Sequence, residues 1–371
     1  VHPFDLLDHN LYDIRIYQHG DTSWLLLNIH HIVFDGSSMN VLLNEIQQVY
    51  RGEALPAETF TAYDYALYNQ HWLQSEAYDK ADTYFNQLMA DAEAVQYPPS
   101  GGSLQAEGVR KACVSMARGQ VSDGARRLGV TESSLLMTAV MQVLHRFTRE
   151  HHMMITTISN GRGALAMAHT FGMFVQTLPV VSHYACASIA DTVRQMHRQM
   201  LSTIDNDKYP FTKIVEKYGV RPQLMVAYQG DVLDHGFRLG HHEGERQSLH
   251  LDTVKLPVIM NVWNREGDRI EIEIEYDSAC YTEADMLTFG QAVCTLLERM
   301  VQADAGQPIT SLSVVSDEEQ RRLLTLGEGK HIDMDITQTF AHLFVEQARR
   351  TPDRLAVADA DSQLTYGQMD A

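Results

Sequence analysis

The chain contains 371 residues, of which 44% are hydrophobic and 21% are charged. This balance is typical of globular proteins, and the length suggests about two or three domains. The 29 basic and 48 acidic residues give a net charge of −19, which argues against nucleic acid and anionic membranes as the main partners.

Signals for membrane insertion, secretion, disulfides and metal binding are missing from the sequence. No apolar run reaches the roughly 18 residues of a membrane-spanning helix, and the first residues lack a basic and apolar signal segment. The four cysteines are widely spaced and form no CxxC motif, so neither a disulfide scaffold nor a zinc ribbon is indicated. We therefore expect a cytoplasmic protein with reduced cysteines and no bound metal.

The first predicted elements are a β-hairpin and a helix. Residues 11–17 alternate between apolar and polar side chains, residues 23–29 form an apolar run, and residues 18–21 between them carry a turn signal. Either Ser37 or Ser38 is expected to cap the helix that follows, because a serine oxygen accepts hydrogen bonds from the free N–H groups of a helix start.

Later elements follow from the same periodicities. Residues 269–276 alternate strictly, which predicts a strand with one apolar face that forms a hairpin with the strand before it. The other predicted helices cover residues 63–92, 121–128, 131–148, 187–204 and 282–301, and the other predicted strands cover 153–159, 175–182, 223–229 and 257–264.

Two changes in composition divide the chain. Proline, glycine and serine residues at 97–103 mark an internal linker, and a polar, charged connector begins after residue 314. The residues after this connector are too few to form a stable core unaided. We expect a partial N-terminal lobe at 1–96, a C-terminal lobe at 97–314, a linker at 315–336 and the first part of a further domain at 337–371.

Three pairs of adjacent histidines are candidates for chemistry, at residues 30–31, 151–152 and 241–242. Adjacent residues on a strand point to opposite faces, so each pair offers at most one inward imidazole. The second and third pairs have no HxxxH spacing and no nearby cysteine, so solvated histidines are the preferred interpretation at both.

The first pair differs because it lies where an apolar strand ends, before Asp35, Gly36 and a helix start. A histidine at a strand end can project into a cleft and handle a substrate proton near neutral pH. Asp35 could hold the turn by pairing with a cation, and Gly36 permits a positive φ or a close backbone approach. The spacing alone leaves a catalytic site and a buried histidine before an Asp-Gly turn as equal alternatives.

Motifs of several other enzyme classes are missing from the sequence. It contains no GxSxG, GxxxxGK[ST] or HExxH motif. Residues 161–166 fit the GxGxxA pattern of dinucleotide-binding loops, but no acidic residue closes the next strand. No nucleotide cofactor is expected.

The segment HHIVFDGSS at residues 30–38 resembles the HHxxxDG signature of condensation domains of nonribosomal peptide synthetases. A cyclisation relative would carry Asp in place of His30. Gln176 departs from this family, which usually has Asn there. Further segments resemble other blocks of the family in the same order, namely PFDL at 3–6, YDYA at 63–66, GMFVQTL at 172–178 and DKYPF at 207–211.

The two ends of the chain differ in their resemblance to the family. Residues 343–366 are similar to the opening of an adenylation domain, which follows condensation in an elongation module. Family blocks that precede PFDL are absent, so the resemblance implies a first lobe that is truncated at its N-terminus.

The resemblance implies a two-lobed α/β fold of the chloramphenicol-acetyltransferase type, with a tunnel between the lobes. It implies peptide-bond formation between an upstream aminoacyl or peptidyl thioester and the amine of a downstream aminoacyl thioester. Phosphopantetheine arms of the upstream and downstream peptidyl carrier domains would deliver both substrates, so the chain itself would bind no cofactor.

By position, the resemblance makes His31 the active-site histidine, which faces the attacking amine either as a base or as a positioning group. His30, Asp35 and Gly36 complete the expected catalytic set. In this set Asp35 has an architectural role, and the Gly36 N–H is a candidate oxyanion donor. The expected tunnel and loop residues are Ser37, Arg162, Gly172, Phe174 and Gln176. Arg162 is expected either to bridge the lobes or to pair with a loop as a cation, with a solvated surface arginine as the alternative.

Two alternative functions stay open. A stand-alone acyltransferase of the same superfamily is disfavoured by the adenylation-like tail. A non-catalytic module that binds carrier domains competes if the chain is not an excised fragment, and carrier binding without turnover, even with the missing segment restored, would favour it.

Overall fold

The structure, a computed structural model, describes residues 4–7, 9–99, 108–163, 167–184, 187–230, 237–244, 254–329 and 337–371. The chain divides into two compact units, Val1–Ser316 and Asp317–Ala371. Several features of the sequence analysis lie outside the described residues. They are Pro3 of the PFDL segment, residues 100–103 of the linker expected at 97–103, residues 164–166 of the GxGxxA match, Cys186, and residues 330–336 of the linker expected at 315–336.

The predicted hairpin at the start of the chain is present. Strands β1 (Tyr12–His19) and β2 (Thr22–Ile29) pair antiparallel, and Gly20 adopts a φ of +59° in the turn between them. Helix α1 (Gly36–Tyr50) begins after Asp35, whose carboxylate accepts a hydrogen bond from the Ser38 N–H. The prediction that a serine caps this helix is wrong, because Asp35, two positions before Ser37, is an equally good cap and accepts the hydrogen bond from the Ser38 N–H.

The helical stretch predicted at 63–92 consists of two helices. Helix α2 (Ala62–Trp72) begins with a capping box in which Thr61 and Asp64 exchange hydrogen bonds. Helix α3 (Glu76–Leu88) starts after Ser75, so a short turn replaces the single long helix.

A seven-stranded sheet forms the centre of the larger unit. Its spatial order is β3 (Glu93–Ala94), β5 (His152–Ser159), β7 (Leu224–Gly230), β10 (Val258–Arg265), β11 (Arg269–Asp277) and β4 (Val109–Ala117), and β6 (Gln176–His183) also pairs with β5. Strands β10 and β11 form the predicted antiparallel hairpin. Ile270, Ile272 and Ile274 are buried along β11, which confirms its alternating pattern.

Helices cover both faces of this sheet. They are α4 (Gly119–Leu128), α5 (Glu132–Thr148), α6 (Ile189–Asp205), α7 (Phe211–Tyr218) and α8 (Glu283–Gln302). Met153 of β5 belongs to the large core that α5, α6 and α8 form on one face, whereas Met154 belongs to a smaller core with Phe85 of α3 and Ile214 of α7. Successive strand residues alternate between faces, so β5 contributes to both cores. A separate two-stranded hairpin contains β8 (Phe237–Leu239) and β9 (His242–Gly244).

The smaller unit contains α9 (Asp317–Gly327), α10 (Phe340–Arg350), β12 (Leu355–Ala358), β13 (Gln363–Thr365) and α11 (Tyr366–Asp370). The polar connector expected at 315–336 therefore includes a helix. Its first turn carries Asp317, Glu318 and Glu319, and negative charge at a helix N-terminus stabilises the helix. Within the described part of the chain, no helix has the length and apolar character needed to cross a membrane.

Candidate functional site

Strand β2 carries the first histidine pair to one end of its hairpin. The backbone N–H of His30 donates to the Leu11 carbonyl at 2.8 Å. The Nδ1 atom of His30 accepts a hydrogen bond from the Ile32 N–H at 3.0 Å and thereby caps the short 3₁₀ helix His31–Val33. The His30 side chain therefore stabilises the turn that contains His31.

The side chain of His31 is exposed and held in one orientation. Its Nδ1 lies 2.7 Å from the Phe34 carbonyl oxygen. A carbonyl can only accept a hydrogen bond, so Nδ1 carries the proton in the neutral imidazole, and Nε2 keeps its lone pair. This tautomer leaves Nε2 able to accept a hydrogen bond or a proton from a substrate.

Asp35 is buried and its carboxylate is fully engaged. Oδ1 accepts hydrogen bonds from the Ser38 N–H at 2.7 Å and from Arg162 Nη2 at 2.9 Å, and Oδ2 accepts one from the Phe174 N–H at 3.0 Å. The Asp35 side chain is 0% exposed and that of Arg162 is 5% exposed. These contacts assign Asp35 to holding the loop and leave no oxygen free to act on a substrate.

Arg162 joins the segment after β5 to the start of α1. Its Nη1 donates to the carbonyl oxygens of Met167 at 2.6 Å and Thr170 at 2.7 Å, and its Nη2 donates to Asp35 and to Ser38 Oγ at 2.9 Å. The guanidinium carbon also lies 4.5 Å from the ring centroid of Phe174.

Ser38 belongs to the same group of hydrogen-bonded residues as Asp35 and Arg162. The sequence predicted Ser38 only as a possible helix cap. Its fully buried Oγ donates to the Gly172 carbonyl at 3.0 Å and lies 3.1 Å from the Gly172 N–H, which donates to it. The D-x-x-S spacing from Asp35 is a helix-cap signal that could have placed Ser38 beside the Asp35 carboxylate.

Two glycines allow the close approach of backbone to Phe174. Gly161 has a φ of +64°, and a Cβ added there would lie 1.8 Å from the Phe174 carbonyl oxygen. A Cβ at Gly172 would lie 2.5 Å from the Phe174 ring. Gly36 has no such constraint: its φ lies outside the left-handed region, and a Cβ there would meet nothing within 4 Å. The positive φ that glycine would permit at this position is therefore not adopted, and Gly36 begins α1.

Phe174 and Gln176 extend the cluster toward α2. Phe174 is 1% exposed and packs edge-to-face on Tyr65, with ring centroids 4.8 Å apart. Gln176 begins β6, and its Nε2 donates to the Phe174 carbonyl at 3.0 Å. Gln176 therefore supports the segment that supplies an N–H to Asp35.

Two of the expected tunnel residues, Ser37 and Arg162, line a cavity of about 500 Å³. Polar side chains from α1, including Asn40 and Asn44, form much of its wall, and Asn160 also lines it. The structure thus brings together Asp35, Ser38, Arg162, Gly172 and Phe174, with His31 exposed beside them. The described residues contain no group of three or more His, Cys, Asp or Glu side chains that could hold a metal ion.

Sequence comparisons link the chain to large synthetases. A family model described as "Condensation domain" matches residues 1–324. Surfactin synthase subunit 1 of Bacillus subtilis (strain 168) is 28% identical over 393 residues, which cover 100% of this chain and 11% of that protein. Gramicidin S synthase 2 of Aneurinibacillus migulanus is 26% identical over 391 residues, with 100% and 9% covered. The chain spans about a tenth of the length of these relatives.

Solved structures share the fold. The first condensation domain of the calcium-dependent antibiotic synthetase, in complex with a substrate analogue, matches with a TM-score of 0.67 and 20% identity, over 82% of this chain and 70% of that one. The X-domain in complex with OxyB from teicoplanin biosynthesis matches with a TM-score of 0.70 and 18% identity, over 85% of this chain and 75% of that one. These matches confirm the expected two-lobed, mixed α/β fold.

Proposed function

Because the chain belongs to the condensation-domain family, we propose that it joins a carrier-bound acyl thioester to the amine of a carrier-bound aminoacyl thioester. The sequence relatives include surfactin synthase subunit 1 and gramicidin S synthase 2, and the family model is described as a condensation domain, which supports a reaction that joins two substrates. The product would be an amide bond, formed without a cofactor held by this chain.

One observation carries this proposal, which is the hydrogen bond of 2.7 Å from His31 Nδ1 to the Phe34 carbonyl. It leaves Nε2 as the acceptor on an exposed ring, while Asp35 is buried and saturated by its own partners. His31 would therefore face the attacking amine, and Asp35 with Arg162 would hold the loop that carries His31.

The reaction would proceed by attack of the neutral amine nitrogen on the thioester carbonyl. A C–N bond forms, and the amine proton passes to His31 Nε2. The C–S bond then breaks, and the departing thiolate takes up the proton, so the imidazole returns to its starting state. Since a thioester is already activated, orientation of the amine by Nε2 would contribute alongside proton transfer.

The free N–H of Gly36 would assist at the thioester oxygen. The first N–H groups of a helix have no partner within the helix, and the helix dipole favours negative charge at that end. Gly36 is the first residue of α1 and is exposed, so its N–H is a candidate donor to the oxyanion.

The partners would be an upstream and a downstream peptidyl carrier domain, whose phosphopantetheine arms present the two thioesters. We further propose that residues 1–96 and 97–314 form the two lobes, that 315–336 links them to the next domain, and that 337–371 begin an adenylation domain. The similarity of residues 343–366 to the opening of such domains supports the last assignment.

The test is a transfer assay with the protein that contains this chain. A donor carrier and an acceptor carrier, each loaded with an amino acid, are incubated with it, and the acceptor is analysed by mass spectrometry. We expect a dipeptidyl thioester on the acceptor carrier. Acylation of a free amine from coenzyme A would instead support a stand-alone acyltransferase. Carrier binding with no product would support a binding module and contradict the proposal.

A further inference from the structure

The second histidine pair of the sequence is divided between two environments by strand geometry. The ring of His151 packs edge-to-face against Tyr184, with centroids 5.5 Å apart. His152 is the first residue of β5, lies directly opposite His183 at the end of β6, and points to the other side of the sheet. The partner of His152 is therefore a histidine 31 residues away and not its neighbour in sequence.

The imidazoles of His152 and His183 converge through equivalent atoms. Their Nδ1 atoms lie 2.6 Å apart, and their ring centroids are separated by 4.8 Å at an interplanar angle of 68°. Both side chains are exposed, so a solute can reach them without opening the fold. Residues directly opposite on antiparallel strands keep their Cβ atoms about 4.5–5.5 Å apart, so the two rings are held near one another.

We propose that His152 and His183 form a bidentate imidazole site for a divalent late first-row transition metal ion. Ni²⁺ and Cu²⁺ are the ions that this site should bind most tightly. Neutral imidazole is a common ligand of these ions, and two such ligands on neighbouring strands act as a chelate. With metal–nitrogen bonds of about 2.0–2.1 Å, cis ligands at a square-planar ion lie about 2.9 Å apart and tetrahedral ligands about 3.3 Å apart. The observed distance of 2.6 Å between the two Nδ1 atoms is closer to the square-planar value than to the tetrahedral value. The two rings therefore have to move less to bind a square-planar ion than to bind a tetrahedral one.

The surroundings leave room for the remaining coordination positions. A cavity of about 320 Å³ adjoins His152, and its lining includes Glu93 and Glu150. Both imidazoles are exposed, so water molecules would complete the coordination, because the described residues offer no third metal-binding side chain beside the pair. The metal would tie the first residue of β5 to the last residue of β6.

The experiment is calorimetric titration of the protein with Ni²⁺ alone, followed by thermal unfolding with and without the ion. We expect one site that depends on both histidines, and a rise in the unfolding temperature because the ion binds only the folded arrangement. The single variants His152→Asn and His183→Asn should each weaken this binding by about tenfold or more, since each loses the chelate.

A matched control removes the same number of imidazoles elsewhere. The double variant His241→Asn and His242→Asn changes an adjacent pair in the separate β8–β9 hairpin, where His241 lies in the turn and His242 begins β9, so it should keep the Ni²⁺ site. Equal Ni²⁺ affinity in the wild type and in the His152→Asn and His183→Asn double variant would overturn the proposal.

Cu²⁺ provides a second readout that does not depend on stability. Electron paramagnetic resonance should show two nitrogen ligands in the wild type and one in each single variant. Identical spectra in the wild type and both single variants would mean that the two imidazoles only hydrogen-bond to each other, and would contradict a shared metal site.

Discussion

Arg162 Nη2 lies 2.9 Å from Asp35 Oδ1, although the two residues are 127 positions apart in the sequence and both side chains are almost fully buried. A buried charge is stable only when it is paired and hydrogen-bonded, and each of these two groups has several partners. This ion pair therefore fixes the loop that follows His31 against the segment that follows β5.

Loss of the Asp35 carboxylate should strongly destabilise the fold. In Asp35→Ala the Arg162 guanidinium stays buried without its counter-charge, and the cap of α1 is lost. We expect a decrease of about 3–5 kcal/mol in the free energy of unfolding, measured by urea denaturation. Asp123→Ala, which breaks an exposed pair with Arg126, is the control and should cost less than about 1 kcal/mol. Similar losses in both variants would contradict the structural role of Asp35.

Gly161 should not tolerate a side chain. In Gly161→Ala the new Cβ would lie 1.8 Å from the Phe174 carbonyl oxygen, so the backbone has to move. Gly129→Ala is the matched control: its φ of +71° is also left-handed, but open space surrounds it. The control should cost about 1–2 kcal/mol of unfolding free energy, and Gly161→Ala should cost clearly more. Equal costs for the two variants would show that the close approach does not matter.

Ser38 should matter more than its neighbour Ser37. Ser38→Ala removes a buried hydroxyl that bonds Gly172 and Arg162, and so leaves buried polar groups without partners. We expect a loss of about 1–3 kcal/mol in the free energy of unfolding. Ser37→Ala, at a half-buried position on the same helix, should change it by no more than about 0.5 kcal/mol. The opposite ranking would contradict the described hydrogen bonds.

Glu132 should contribute to stability in a pH-dependent manner. Burial acts to raise the pKa of Glu132, but hydrogen bonds from Ser122, Tyr228 and Arg118 outweigh it, so the pKa lies below its ordinary value. The Tyr228 hydroxyl lies 2.6 Å from its Oε2. Since the folded state prefers the ionised form, this stabilisation is present above the unfolded-state pKa of about 4.3 and is lost as the pH falls through the lower folded-state value.

The Glu132→Gln variant tests this dependence. The free energy of unfolding is measured from about pH 6 down to the acid limit of the fold. We expect a smaller loss on acidification in the variant than in the wild type, because the variant has no carboxylate to protonate at this position. Glu58→Gln, at an exposed position in the loop before α2, is the control and should keep the wild-type slope. A wild-type slope in Glu132→Gln would contradict the prediction.

Local patterns predicted most of the fold. The alternation at 269–276 and the helix expected at 282–301 lie within one residue of the observed bounds of β11 and α8, because both patterns are local. Strand β4 was not predicted, because its buried positions include the small Ala112 between charged and polar residues. Helix α7 was missed in the same way, since a short helix offers only about two turns of periodicity.

The site was only partly predictable, for a physical reason. The sequence predicted a cation beside Asp35 and suggested Arg162 as a bridge, but no local pattern identifies the Phe174 N–H. That contact spans 139 positions and depends on how the two segments pack. The convergence of His152 and His183 likewise depends on strand register, which no short motif specifies.

Single-turnover transfer between loaded carrier domains measures whether the Nε2 atom of His31 acts on the attacking amine. The rate is compared for the wild type, for His31→Ala and for His71→Ala, a control on α2 whose Nδ1 also bonds a local carbonyl. We predict a fall of about 10²–10⁴-fold in His31→Ala, with folding and carrier binding unchanged, and a wild-type rate in His71→Ala. An unchanged transfer rate in a folded His31→Ala protein would show that His31 does not act on the attacking amine.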